Sequence, residues 1–128
     1  MKRKMILIAA FLGVTAIALG AFGAHGLKQF LSEAQLTTFE TGVRYQMYHA
    51  LFLLFVANLI ELTESKRKII TLLVVLGVAL FSGSIYLLAT NSITSFDFKI
   101  IGFVTPIGGL LLIISWIVLF AGFFNKKS

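Results

Sequence analysis

A short run of polar and aromatic side chains interrupts a chain that is otherwise almost entirely apolar. It lies ahead of a stretch rich in leucine and phenylalanine and contains Glu40, Arg44, Tyr45, Tyr48 and His49. A guanidinium binds a carboxylate or phosphate through paired hydrogen bonds, and phenols and an imidazole donate or accept further hydrogen bonds beside it. Together with His25 and Tyr86, these residues are the candidate ligand-binding residues of the chain.

The same residues are too few for metal or redox catalysis. Cysteine is absent, which excludes thiolate chemistry, and the chain has two histidines. A catalytic metal usually needs three protein ligands and an open position. No serine lies in a nucleophile elbow, and no glycine-rich loop ends in the Lys-Ser/Thr pair of a phosphate-binding loop. We therefore expect a protein that is not an enzyme and that holds no metal or cofactor.

The elements that must position these residues are membrane helices. Hydrophobic residues make up 59% of the 128 residues and charged residues 12%. Four apolar runs, each of 20 to 25 residues, are Met5–Ala24, Val43–Leu62, Ile69–Ala89 and Ile100–Phe124. Because a bilayer core of about 30 Å needs about 20 helical residues, each run is long enough to span it. The sequence predicts an all-α integral membrane protein, a four-helix transmembrane bundle that forms one domain over residues 1–128.

The distribution of basic residues predicts the orientation. Eight of the eleven lie on the side that holds both termini: Lys2, Arg3, Lys4, Lys66, Arg67, Lys68, Lys126 and Lys127. By the positive-inside rule, both termini are cytoplasmic and the protein is a multi-pass protein of the cell membrane. A cleavable signal peptide at residues 1–23 is an alternative, disfavoured because its apolar run is longer than a usual signal core. No nucleic-acid partner is expected, since the basic residues are not gathered on one polar surface.

A helix is predicted to start before the second run. Ser32 and Gln35 fit a capping box, so an outer amphipathic segment should begin at Glu33 and continue to Leu62 as one helix. At 100° per residue, one side of this helix carries a polar stripe, flanked by Tyr45 and His49. The stripe consists of Thr37, Glu40, Thr41, Arg44, Tyr48 and Asn58.

The polar stripe has a functional and a structural interpretation. Glu40 and Arg44 are spaced i, i+4 in the favourable order and would offset each other's charge. His49 lies deeper and should point toward a partner, because an unpaired ring is costly within a membrane. In the structural interpretation, Tyr48 and His49 hydrogen-bond to neighbouring helices and only fix their packing.

Unusual residues also collect at the outer ends of the other runs. Small residues at helical spacing in the first run predict that this helix is central to the bundle. Pro106 is predicted to kink the fourth helix and loosen its backbone near Gly108 and Gly109. The four outer ends should therefore converge on one groove, lined by Arg44, Tyr48, His49 and Tyr86.

Four segments resemble those of a known family. They are Gly20–Leu27 (GAFGAHGL), Phe39–Leu51 (FETGVRYQMYHAL), Phe81–Ala89 (FSGSIYLLA) and Thr105–Gly109 (TPIGG). In this order they resemble the signature segments of the YgdD/YwdK-like small membrane proteins, catalogued as domain-of-unknown-function family 423. The resemblance covers nearly the whole chain, apart from a variable outer loop, Asn91–Lys99. It implies a bacterial inner-membrane protein with four spans, and no established activity.

Two kinds of function remain open on these residues. The first is a non-enzymatic membrane protein that binds a lipid, another small amphiphile or a partner in the outward-facing groove, with Arg44 at the anionic group. The second is a homo-oligomeric passive transporter or channel built around the polar stripe. Proton-coupled transport is disfavoured, because no acidic residue lies deep within a run.

Overall fold

The computed structural model describes residues 1–94, 97 and 99–124. These residues form four α-helices and two 3₁₀ turns and contain no β-strand. The helices are α1 (Lys2–His25), α2 (Glu33–Ala57), α3 (Glu64–Ala89) and α4 (Val104–Phe124), and the 3₁₀ turns between α3 and α4 are Asn91–Ile93 and Lys99–Phe103. The prediction of an all-helical chain is confirmed. Outside the described residues lie Ser95, Phe96 and Phe98 of the variable loop, and Lys126 and Lys127 of the predicted basic side.

The start of α2 follows the predicted capping box. The Gln35 backbone N–H donates to Ser32 Oγ at 3.2 Å, and the Ser32 backbone N–H donates to Gln35 Oε1 at 2.9 Å. These bonds satisfy two of the donors that the first turn of a helix leaves open. The predicted helix start is therefore confirmed.

The end of α2 comes earlier than predicted. Its C-cap is Asn58, so the expectation of one helix as far as Leu62 was wrong. The Asn58 side-chain amide donates to the Leu54 carbonyl at 2.7 Å, and such local bonds compete with a continuing helix. Arg67 of α3 donates to the Leu59 carbonyl in the turn that follows. The chain thus leaves the helix for a turn that α3 stabilises.

Consecutive helices pack against one another, so that α2 and α3 are central and α1 and α4 lie on the flanks. The expectation that the first helix is central was wrong. Only Met5, Ala9, Ala16 and Gly23 of α1 are buried. Its small residues allow a close approach to one neighbour, α2. The opposite side of α1 is apolar and 59–67% exposed at Leu7, Phe11, Val14 and Ile17, as expected of a surface in contact with lipid.

Two apolar clusters hold the ends of the bundle. The larger lies toward the ends where α1 begins and α2 finishes, and its buried members include Met5, Phe52, Leu53, Val74 and Leu112. The smaller lies where α1 joins α2 and consists of Leu27, Leu31, Phe39 and Ala89. The interhelical polar contacts lie largely between these clusters.

Three helical segments are long and apolar enough to cross a membrane, namely Lys2–His25, Glu64–Ala89 and Ile100–Phe124. α2 is not among them, although it has 25 residues. Its middle carries charged and polar side chains, including Arg44, Gln46 and His49. That α2 crosses the membrane as a fourth span therefore stays a prediction. The packing of α2 along α1, which is a candidate span, is consistent with it.

Candidate functional site

The polar stripe of α2 faces out of the bundle. Of its six residues, Thr41 is half-buried and the others are exposed. The opposite side of α2 packs on the other helices and carries Phe39, Gly42, Gln46, His49 and Leu53. The stripe therefore meets whatever surrounds the monomer, and it does not line the interior.

α2 runs beside α1 over most of its length. A Cβ on Gly20 would lie 3.3 Å from Val43 Cγ1, and a Cβ on Gly23 would lie 2.8 Å from the Phe39 ring. Further along, the Gln46 side chain reaches the Leu12 carbonyl at 2.9 Å. The contacts place the first half of α2 level with the second half of α1.

A groove of about 490 Å³ opens between the end of α1 and the start of α2, and we call it the basic groove. Its charged lining residues are Lys28, Glu40 and Arg44. Its other lining residues are small or apolar, namely Gly20, Gly23, Ala24, Leu36, Phe39 and Val43. A charged edge beside an apolar lining suits a molecule with one charged end and one apolar end.

The charges of the basic groove do not cancel. Arg44 Nη2 lies 3.2 Å from Glu40 Oε1, the i, i+4 pair expected from the sequence. Within the described part of the chain, Lys28 forms no ion pair. Two positive groups therefore face one carboxylate, and Arg44 keeps guanidinium donors for an added anion.

A second depression, of about 550 Å³, lies between α2 and α4. It is mostly aromatic, and its lining includes Tyr45, Tyr48, His49, Phe52 and Trp116. The Tyr45 and Tyr48 rings are 5.5 Å apart, and the Phe52 and Trp116 rings are 4.0 Å apart. This aromatic depression is separate from the basic groove.

His49 is paired within the bundle, as the structural interpretation requires. The side chain is 4% exposed, and its Nδ1 lies 2.7 Å from the Tyr45 carbonyl oxygen. A carbonyl only accepts, so Nδ1 carries the proton, and Nε2 accepts from Trp116 Nε1–H at 3.1 Å. Both ring nitrogens of His49 are therefore occupied by protein groups.

Tyr86 belongs to a network that the sequence did not reveal. Its hydroxyl donates to Gln46 Oε1 at 2.7 Å, while Gln46 Nε2 donates to the Leu12 carbonyl and to Thr15 Oγ1, at 2.9 and 2.6 Å. Gln46 thus joins α1, α2 and α3 and is itself 4% exposed. The available signal was a single glutamine on the apolar side of the helix, opposite the polar stripe.

The serines near Tyr86 also join helices. Ser82 Oγ donates to the Gly42 carbonyl of α2 at 2.7 Å, and Ser84 Oγ lies 2.6 Å from Thr105 Oγ1 of α4. Such short interhelical bonds fix how the helices pack within a membrane. The hydroxyl groups of Ser82 and Ser84 therefore both have hydrogen-bond partners within the protein.

Pro106 does not kink α4. The helix begins at Val104, which places Pro106 in its first turn, where backbone N–H groups have no intrahelical partner to lose. The predicted kink was wrong because the apolar run begins at Ile100, in the preceding 3₁₀ turn. Counted from there, Pro106 falls inside a helix, whereas α4 itself begins at Val104. The adjacent Gly108 instead allows α4 to approach α3 closely, since a Cβ there would lie 2.3 Å from the Phe81 backbone nitrogen.

The predicted candidate residues therefore occupy separate places. Arg44 and Glu40 line the basic groove, whereas Tyr45, Tyr48 and His49 line the aromatic depression. Tyr86 is bonded to Gln46 within the bundle, and His25 is exposed at the end of α1. The expectation of one groove lined by Arg44, Tyr48, His49 and Tyr86 was wrong, because His49 turns toward α4 and Tyr86 toward Gln46. Within the described ranges, no three potential ligands lie together to hold a metal ion.

Residues 19–109 match the model of a family described as "Protein of unknown function (DUF423)". The UPF0382 membrane protein SSP2132 of Staphylococcus saprophyticus is 40% identical over 96% of this chain and 98% of its own. The UPF0382 membrane protein YwdK of Bacillus subtilis is 41% identical over 91% and 93%. The UPF0382 inner membrane protein YgdD of Escherichia coli is 33% identical over 98% and 93%. No solved structure matches the chain.

Proposed function

Because the chain belongs to the DUF423 family of membrane proteins, whose function is unknown, we propose that it is a non-enzymatic protein that binds an anionic amphiphile in the basic groove. The observation that carries the proposal is the pair of cations, Lys28 and Arg44, beside an apolar lining and opposed by Glu40 alone. No serine, threonine, tyrosine or histidine is among the residues lining this groove. It offers groups that bind a ligand rather than groups that transform one.

The depth of the groove supports a membrane ligand. Val43 lies beside Gly20, four residues before the predicted end of the first span at Ala24, which is about 6 Å along a helix. Arg44 follows Val43 and can extend outward from that level. On the proposed topology, with both termini cytoplasmic, this position is the headgroup level of the outer leaflet of the cell membrane.

The chemistry follows from the two parts of the groove. Arg44 and Lys28 would hold a phosphate or carboxylate by charge-assisted hydrogen bonds. The glycine and alanine side of α1 leaves room for an acyl chain against Leu36, Phe39 and Val43. Glu40 holds the guanidinium at the groove edge and disfavours a second anion.

Native mass spectrometry of the protein released from nanodiscs tests the proposal. The nanodiscs contain phosphatidylcholine with a minor fraction of phosphatidylglycerol, and oleate replaces phosphatidylglycerol in a second arm. Arg44→Leu should lower the affinity for the anionic lipid by at least about tenfold, because a hydrogen bond to a charged group contributes about 1.5–3 kcal/mol and each 1.4 kcal/mol is about tenfold. The arms separate a phosphate headgroup from a free carboxylate.

The matched control is Lys68→Leu, which removes an exposed cation near the start of α3. This variant should retain as much anionic lipid as the wild type. Equal retention by wild type and Arg44→Leu in both arms would contradict binding in the basic groove.

A further inference from the structure

The aromatic depression lies near the middle of the predicted spans. Val43 packs beside Gly20, which precedes the predicted end of the first span at Ala24 by about 6 Å along the helix. Because α2 runs back along α1, Tyr48 follows Val43 by five residues and lies about 7.5 Å deeper. Tyr48 is therefore about 13 Å inside a hydrocarbon core that is about 30 Å thick.

The hydroxyl of Tyr48 has no partner at this depth within the described part of the chain. The side chain is 50% exposed, and the neighbouring Tyr45, which is 40% exposed, is without a hydroxyl partner in the same way. The third tyrosine, Tyr86, instead donates to Gln46 inside the bundle. An unpaired hydroxyl in hydrocarbon is costly, and the polar groups of phospholipids lie at the headgroup level. A molecule that carries a hydrogen-bond acceptor into the hydrocarbon would remove this cost.

The walls of the depression are aromatic rings. The Phe52 and Trp116 rings are 4.0 Å apart, and the Tyr45 and Tyr48 rings are 5.5 Å apart. Trp116 is 49% exposed, so part of its ring stays open on this side of the bundle. Aromatic side chains pack favourably against the face or the edge of another ring. The depression therefore suits a flat, uncharged ring that enters from the bilayer.

We propose that the aromatic depression binds the ring of an isoprenoid quinone, and that a quinone carbonyl oxygen accepts a hydrogen bond from the Tyr48 hydroxyl. A quinone combines a flat, uncharged ring and carbonyl acceptors with a tail that keeps it in hydrocarbon. Its chemistry and its depth both differ from those of an anionic amphiphile in the basic groove. The quinone site therefore does not rest on the proposed function.

His49 shapes the wall of the site and takes no part in proton transfer. Its Nδ1–H donates to the Tyr45 carbonyl, and its Nε2 accepts from the Trp116 indole N–H. The second bond fixes the Trp116 ring against which the quinone packs. Because both ring nitrogens are occupied, the depression offers groups that bind a quinone and no free imidazole. The quinone is bound without a change in its oxidation state.

Quenching of tryptophan fluorescence by decylubiquinone tests the proposal. Trp116 is the only tryptophan of the chain and lines the depression, so its emission reports a quinone ring in contact with it. The protein is titrated in phosphatidylcholine nanodiscs, and an alkyl ester of N-acetyltryptophan in empty nanodiscs measures quenching by random collision. Quenching of Trp116 should saturate. Tyr48→Phe should raise the midpoint about three- to tenfold, because one neutral hydrogen bond is lost.

The matched control is Tyr86→Phe, which removes a phenol hydroxyl that bonds to Gln46 and does not line the depression. Its midpoint should equal that of the wild type. Quenching of the wild type that does not saturate and parallels the tryptophan ester would show that lipid or another chain covers the depression, and would overturn the proposal. Equal midpoints in the wild type and Tyr48→Phe, or equal shifts in Tyr48→Phe and Tyr86→Phe, would overturn it as well.

Discussion

The contact between α3 and α4 at Gly108 leads to the sharpest prediction of stability. A Cβ on Gly108 would lie 2.3 Å from the Phe81 backbone nitrogen and 2.6 Å from the Leu80 carbonyl carbon. Both atoms belong to the backbone of α3, which no rotamer change can move. The helices must separate by about 1 Å to restore ordinary contact distances. Gly108→Ala should therefore weaken the packing of α4 on α3.

The change in the free energy of unfolding is the sum of two destabilising effects and one stabilising effect. Overpacking of this kind costs about 1–3 kcal/mol. Separation of the helices also stretches the 2.6 Å bond between Ser84 and Thr105, one turn away, and such interhelical bonds contribute about 0.6–2 kcal/mol. Alanine favours the helix by about 0.5–1 kcal/mol over glycine. We expect Gly108→Ala to lower the free energy of unfolding by about 2 kcal/mol.

The neighbouring glycine is the matched control. A Cβ on Gly109 would lie 3.4 Å from the Phe81 ring, which is ordinary contact. Gly109→Ala should therefore raise the free energy of unfolding by about 0.5–1 kcal/mol, since only the helix preference changes. Unfolding in mixed micelles of dodecyl sulfate and a mild detergent, followed by circular dichroism, measures both variants. Equal stabilities of Gly108→Ala and Gly109→Ala would refute the close contact.

Two further substitutions test the polar contacts inside the bundle. Gln46→Leu should lower the free energy of unfolding by about 1–2 kcal/mol, because α2 loses its hydrogen bonds to two other helices, α1 and α3. The exposed Gln29→Leu should leave the free energy of unfolding unchanged, and equal effects of the two substitutions would contradict the network. His49→Leu removes the hydrogen-bond acceptor of the Trp116 indole N–H, and Trp116 is the only tryptophan of the chain. The fluorescence emission of Trp116 should therefore move to shorter wavelength in His49→Leu, while Tyr48→Phe should leave it unchanged. An unshifted emission in His49→Leu would contradict the bond.

Local signals explain which parts of the architecture could be predicted. The capping box at Ser32 involves a few neighbouring residues, and the start of α2 was predicted correctly. The end of α2 was not, because Asn58 stops the helix through its own side chain and Arg67 of another helix holds the next turn. Pro106 was misread because hydropathy does not distinguish a 3₁₀ turn from the first turn of the following helix.

The prediction of the candidate site was likewise limited to features that depend on neighbouring residues of one helix. The periodicity of α2 identified a stripe that includes Glu40 and Arg44, and the structure pairs these two residues. Periodicity alone could not distinguish a stripe that faces inward from one that faces outward. The role of Gln46 could not be predicted, because a single polar residue on the apolar side of a helix creates no periodic pattern. In the structure it bonds to two other helices.

The sequence by itself determined the helical membrane character of the chain, the pairing of Glu40 with Arg44 and the family. Each depends on composition, on neighbours along one helix or on the order of motifs. Only the tertiary structure decided that the polar stripe faces outward, that His49 is bonded to Trp116, and that the basic groove and the aromatic depression are separate. These features depend on the rotation of each helix about its axis. That rotation is set by close contacts between distant residues, such as Gly20 with Val43 and Gly108 with Phe81.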